Sequence, residues 1–375
     1  MDFDLNDDQR LLADSVGRLM ADHGGFEART DILRQGQGWN RTLWRNMADL
    51  GLLGLGFAEE DGGFGGGGVE AMIVAEALGR ALSLEPWLAT TVLAGGALRR
   101  GADAAQRAAR IPAIVAGEHV MALAHAEPDA PRHRLEASGT IAALQGDGWS
   151  LTGTKIAVLH GADADELVVS AATDRGTALF LVDGAAAGVT RDGVVGYDGI
   201  PVATIRLDAA PAERLAGDAA GQEVLAAVID DAIAALCAEA VGVMAETVDL
   251  TGEYLKTRQQ FGTPLGTFQA LQHRLVDMLI QVELSRSMAT HAALAIDDTS
   301  AADRALNVAA AKAQIGRAGR MVGQNAVQLH GAIGFTSEYK VGHLFKRLTA
   351  IDALFGDADH HLGRIAAAPG LPQLA

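Results

Sequence analysis

Apolar and polar positions change their rhythm twice along this chain. Up to about residue 120, segments such as LNDDQRLLADSVGRLMADH and VEAMIVAEALGRAL carry apolar residues at helical spacing between Gly-rich breaks. From about Ala122 to Leu215 the pattern shortens to WSLTGTKIAVL, DELVVSAAT, TALFLVDG and ATIRLDAA, bounded by Gly, Asp and Pro, which reads as strands and turns. From Gly221 onward, helical stretches are predicted over 222–256, 268–297 and 301–330, the last opened by Ser300 with Asp303 three residues on. Leu271, Leu275, Met278 and Val282 stripe the second stretch, and the Ala-rich run from Asn307 to Gln314 allows close helix approach on the third. Long striped helices imply a bundle. The expected fold is mainly α with a central β domain: a helical domain over 1–120, a β domain over 121–217 and a helical bundle over 218–375.

Composition narrows the function. A chain of 375 residues suits two or three domains. Its apolar share is 49%, without an uncharged apolar stretch long enough for a membrane span, and the start MDFDLNDDQRLLADSVGRL lacks a signal-peptide layout, so a cytoplasmic protein is expected. A net charge of −17 with scattered cations argues against nucleic acid and anionic lipid as partners. The only cysteine, Cys237, lies among alanines in a helical segment and is expected to be inert core.

Two patterns invite over-reading. DGGFGGGG contains Gly63, Gly65 and Gly68 at GxGxxG spacing, but so many glycines satisfy that spacing trivially and no strand precedes them; a flexible turn before a helix starting near Val69 is expected. The cluster Asp357, Asp359, His360 and His361 invites a metal reading, since residues three or four apart share a helix face, yet without a second cluster elsewhere no metal site is expected. His330 and His343 are expected to satisfy local hydrogen bonds.

Sharper signals lie in RQQFGTPLGTFQALQHRLVDM and AVQLHGAIGFTSEYKVGHLFKR, joined by FAEEDGGFGGG, AEP at 126–128, LTGTKIAVLHGADADELVVSA and LFGDADHHLGRIA. Together these resemble the acyl-CoA dehydrogenase family over essentially the whole chain. The resemblance implies three domains, helical, β-barrel-like and a four-helix bundle, with FAD held between subunits. It assigns cofactor contact to Arg258 and Gln328, with Phe261, Phe268, Gln269 and Gly331 completing the match. A guanidinium suits a diphosphate because its planar fork donates paired charge-assisted hydrogen bonds. Ala332 stands where the family commonly has a second glycine.

The other half of the family's site is altered. The usual Thr-Glu-Pro reads Ala126, Glu127, Pro128, followed by DAPRH in place of the segment that ends Gly-Ser-Asp; the flavin-facing Trp and Thr correspond to Ala157 and Leu159. Removing the α-proton of a thioester needs a positioned carboxylate. The family's usual position for it is Phe355 here, and its alternative on the first bundle helix is Ala232. Asp231 is one residue off, a turn of about 100°, and is expected to be solvated or capping; Asp357 is expected to cap the last helix. No catalytic residue is therefore assigned. The pattern resembles the small subunit, without the catalytic glutamate, of heteromeric dehydrogenases of the pimeloyl-CoA or steroid side-chain type. It implies a two-plus-two assembly with a second acyl-CoA dehydrogenase subunit, an acyl-CoA at the shared site and an electron-transfer flavoprotein-like acceptor. A self-sufficient homotetramer with a displaced base and a non-catalytic structural paralogue are the alternatives.

Overall fold

The computed structural model describes residues 5–369 except 132, 147, 218, 219 and 299. By contacts the chain divides into two compact units, each assembled from separated stretches.

One unit comprises Asp31–Gly67 and Leu84–Ala232. It contains α2 (Phe26–Gln35) from Asp31 on, α3 (Arg41–Asp49), a π-helical turn (Leu88–Ala94) that runs into α5 (Gly95–Gly101), and α6 (Ala104–Val115). Asn40 caps α3 by accepting from the Thr42 and Leu43 amides, and Asp103 caps α6 with a reciprocal Gln106 contact. The strands follow as β1 (Met121–Ala124), β2 (Ile141–Gln145), β3 (Gly148–Leu159), β4 (Glu166–Thr173), β5 (Gly176–Asp183), β6 (Val189–Val195) and β7 (Pro201–Arg214). Pairing runs β4-β2-β3-β7-β5 and returns from β5 to β4, so the sheet closes on itself; β1 extends it parallel to β4 and β6 lies on β7. Closure buries the inward faces of Leu151, Leu167, Val169, Phe180, Val182 and Ile205 in one core.

The other unit comprises Met1–Thr30, Gly68–Ser83 and Ile233–Ala375. It holds α1 (Asp7–His23), capped by Asn6, and α4 (Gly68–Ala81). With them pack α7 (Gly221–Thr257) from Ile233 on, α8 (Gln269–Asp298), α9 (Ala301–His330), α10 (Lys340–Ala353) and α11 (Ala358–Ala366). Ser300 accepts from the Asp303 amide at 3.2 Å and caps α9 as its sequence signature predicts. Met278 and Val282 are buried along the expected stripe of α8, with Leu271 and Leu275 half-buried. A second apolar face was not expected: Val276, Leu279, Ile280 and Leu284 remain about half exposed. No helix among the described residues is long and apolar enough to cross a membrane.

The Gly-rich run is neither a dinucleotide loop nor merely flexible. It follows a 3-10 turn (Glu59–Asp61), and its amides at Gly63, Gly65 and Gly66 donate to the carbonyls of Ala58, Phe57 and Leu55. A Cβ on Gly63 would lie 2.2 Å from the Phe57 carbonyl oxygen, so close backbone approach dictates the glycine.

Candidate functional site

All six residues singled out for cofactor contact are carried at one end of the bundle, and all are exposed. The last turn of α7 closes with the Arg258 amide donating to Tyr254, and a short hairpin follows, β8 (Gln259–Gln260) against β9 (Thr263–Pro264). Its turn places Phe261 at φ 56° and Gly262 at φ 79°, both left-handed. That conformation strains a bulky side chain, and Phe261 is 92% exposed at the tip, edge-on to Phe268 with ring centroids 6.2 Å apart. The Leu265 amide donates to the Arg258 carbonyl at 2.8 Å and closes the hairpin's base before Gln269 opens α8.

The Tyr254 hydroxyl donates to the His330 carbonyl at 3.2 Å, and its ring stacks on the imidazole at 4.4 Å, tying the ends of α7 and α9 together. Gln328 lies in the last turn of α9 and Gly331, at φ 67°, ends it. α8 starts from the same end, antiparallel to α9, and there Arg274 donates to Asn325. Among the described residues the Arg258 guanidinium has no hydrogen-bond or ion-pair partner. The result is an uncommitted cation beside exposed amides and aromatic rings, a set suited to a phosphate ester with a planar ring. His330 lies beneath, its Nδ1 bonded to the Ala326 carbonyl at 2.8 Å and its pKa lowered by burial; His343 is bonded to the Ser337 carbonyl. Both histidines are engaged locally, as expected.

In the β domain the Ile156 amide donates to the Ala126 carbonyl and brings the Ala126–Glu127 segment beside Ala157. Glu127 is buried and spent on structure, accepting from the Ser138, Gly139 and Thr140 amides and from Lys155 Nζ at 2.8 Å. Burial alone would raise its pKa, yet the Lys155 and amide hydrogen bonds hold it down at about 2. Burial lowers Lys155 to about 8 against the pull of Glu127, and lowers His125 to about 4. His125 Nδ1 meets Ser170 Oγ at 2.8 Å, and Lys155 donates to the same oxygen at 3.1 Å. Sequence reasoning missed this cluster; a lysine within the inward-alternating run LTGTKIAVL was the available signal. Ala157 and Leu159 offer no side-chain donor, and Arg132 of the DAPRH segment lies outside the described residues. A cleft of about 750 Å³ in this unit is rimmed by Asp163, Asp165, Glu166 and Asp183. Its Arg110 is already paired with Glu166 and Glu213, and its Arg191 donates to the Ala164 carbonyl, so four carboxylates face two engaged guanidiniums.

Neither expected base position offers proton chemistry. Ala232 is fully buried. Asp231, expected to be solvated or capping, is instead buried and clamped by Arg99 at 3.0 Å and Arg100 at 2.9 Å, because a carboxylate pointing into that interface needs neutralising charge. Phe355 sits at φ 56° in the turn before α11, where Asp357 caps the helix by accepting from the His360 amide. Fully buried Lys312 fixes this turn from below, donating to the carbonyls of Ile351, Asp352 and Gly356 at 2.7–2.9 Å. His361 adds a bond to the Phe355 carbonyl at 3.1 Å, and burial lowers its pKa to about 3. With His361 so engaged and Asp359 exposed toward Arg317, this segment is organised around the turn. Cys237 is buried and its thiol is pushed up to about 12 by desolvation.

Family comparison agrees with this anatomy. The acyl-CoA dehydrogenase N-terminal, middle and C-terminal domains match residues 6–118, 122–210 and 220–369. Acyl-CoA dehydrogenase FadE27 of Mycobacterium tuberculosis is 31% identical over 90% of this chain and 91% of its own length. The solved ChsE4-ChsE5 complex from the same organism superposes with a TM-score of 0.90, at 29% identity over 99% of this chain and 100% of that one. A variant of the steroid acyl-CoA dehydrogenase Tcur3481-Tcur3483 gives a TM-score of 0.87, at 32% identity over 96% of each chain. From the closed β domain to the capped bundle, the chain belongs to the acyl-CoA dehydrogenase family.

Proposed function

We propose that this chain is the cofactor-completing subunit of a heteromeric, FAD-dependent acyl-CoA dehydrogenase whose partner subunit carries the catalytic glutamate. The observation that carries this reading is the uncommitted Arg258 guanidinium at an exposed bundle end, in a chain whose base positions hold Ala232 and Phe355. In this reading Arg258 pairs with the diphosphate of FAD, Gln328 donates beside it, and Phe261, Phe268 and Gln269 line the adenosine side, with Gly331 allowing close approach. When bound, FAD supplies the hydride acceptor for α,β-dehydrogenation of an acyl-CoA. This chain holds that cofactor's phosphates and excludes water at the seam, while the α-proton leaves to the partner's carboxylate.

The apolar ridge of Val276, Leu279, Ile280 and Leu284 supplies a surface for such a partner. Two of the similar structures carry paired subunit names, ChsE4-ChsE5 and Tcur3481-Tcur3483, the second described as a steroid acyl-CoA dehydrogenase. A steroid or other lipid acyl-CoA substrate and an electron-transfer flavoprotein-like acceptor follow from the same reading.

The test measures flavin absorbance per chain, for this protein purified alone and with an acyl-CoA dehydrogenase-like partner bearing the glutamate. The expected result is little flavin alone, about half of the chains matched by FAD in the complex, and a marked loss of FAD from the complex on Arg258→Ala. Full flavin on the chain alone, reduced by an acyl-CoA, would establish a self-sufficient enzyme instead. No flavin in any assembly would leave a structural paralogue.

A further inference from the structure

Between α1, α4 and α8 lies a cavity of about 630 Å³, formed wholly within one unit and well away in sequence from the bundle end described above. Its walls are Val69, Met72, Ile73 and Leu294. What keeps it hollow is a set of small residues facing one another, Ala13 and Gly17 from α1, Ala77 from α4 and Ala289 from α8.

Gly17 is the informative member. Glycine inside a helix costs roughly 0.5–1 kcal/mol relative to alanine and normally marks a close backbone approach. Here the residue is exposed and an added Cβ would meet nothing within 4 Å, so packing does not require the glycine; at this edge its missing side chain leaves the cavity mouth open. The volume falls in the range of small-molecule sites, roughly 300–1,000 Å³, and apolar walls with a few polar groups at the mouth are their usual lining.

Charge at the mouth selects the ligand. Both guanidiniums of the lining are already engaged, Arg286 by Glu76 of the lining and by Glu283 beyond it, and Arg80 by Glu246 and Asp249 beyond it, with Lys340 sharing Glu246. Gln9 is held by Glu70. Neither guanidinium of the lining is left over for an anionic head group, which would have to compete with carboxylates already in place. Thr290, whose hydroxyl donates to the Arg286 carbonyl, keeps an acceptor lone pair at the edge.

The geometry points to a binding site for an uncharged, largely hydrocarbon amphiphile, with its chain between the three helices and a neutral hydroxyl at the mouth. It does not depend on the proposed shared flavin site.

The experiment uses the full chain with N-phenyl-1-naphthylamine as a neutral fluorescent probe, displaced by 1-decanol and, separately, by decanoate. Saturable displacement by 1-decanol, with decanoate about tenfold weaker or worse, is expected. Ala77→Leu and, independently, Ala13→Leu fill the cavity from two helices and are expected to abolish probe binding while thermal stability holds or rises. Probe binding unaffected in both folded variants, or no saturable binding of probe or decanol to the wild type, overturns the assignment. So does release of the probe on adding the partner subunit, which would make the cavity a protein contact.

Discussion

Two lysines are buried completely, and they solve the same electrostatic problem differently. Lys155 has a carboxylate, Glu127, as direct counter-charge. Lys312 donates to the Ile351 and Asp352 carbonyls in the last turn of α10, where the aligned peptide dipoles present negative charge, and to the Gly356 carbonyl in the turn beyond. Replacing Lys312 with methionine preserves the stem's packing but strips those carbonyls of their donor. Lys312→Met is expected to lower the unfolding free energy by about 2–4 kcal/mol, read as a reduced urea midpoint at unchanged slope. If the midpoint does not move, the turn at Phe355 is held by His361 and Asp357 alone.

On α8 the element faces two ways, one stripe of apolar residues into the unit and a second outward. Leu279→Lys with Ile280→Lys is expected to leave the isolated chain's melting temperature within about 2 °C, since surface changes cost within about 0.5 kcal/mol. The same pair is expected to weaken assembly with the partner at least about tenfold in sedimentation experiments. Unweakened assembly would assign the partner surface elsewhere. The ends of α7, α8 and α9 were legible to within a residue because caps and the RQQFG break mark them. The outward ridge was not, because a helix apolar on two faces blurs its own periodicity. Strands β1, β2 and β6 escaped notice for related reasons, β1 being short and β2 and β6 largely exposed. The exposed candidate residues were legible through the resemblance carried by RQQFG and QLHGAIG, each a short contiguous run. The Glu127–Lys155 cluster and the Arg99–Asp231–Arg100 clamp could not, since each joins residues distant in sequence.

Across the whole molecule, buried histidines set the response to acid. His125 and His361 remain neutral in the fold down to about 4 and about 3, whereas the unfolded chain protonates them near 6.5. As pH falls below that value, the unfolded state binds protons that the native state does not, and stability drops. Each histidine is expected to remove on the order of 2 kcal/mol by pH 5. Glu127 acts lower: its contribution is present above the unfolded carboxylate range and is lost as pH falls toward about 2, leaving the interval from 6.5 to 5 to the histidines. Urea titrations at pH 7 and pH 5 should show a smaller loss for His361→Gln than for the wild type; equal losses would mean other groups carry the dependence.

Because α1 and α4 belong to the same unit as residues from Ile233 onward, the chain's order of packing differs from its order of synthesis. At roughly 5–20 residues per second, α4 waits about ten to forty seconds on the ribosome before α8 begins to emerge. During that interval α1 and α4 can cover only each other, and the flank of α4 that packs on α8 has no native surface to cover it. Nascent chains should therefore depend on chaperones until late in translation, and a premature stop within α8 should strand the amino-terminal helices in aggregates instead of yielding a smaller folded product.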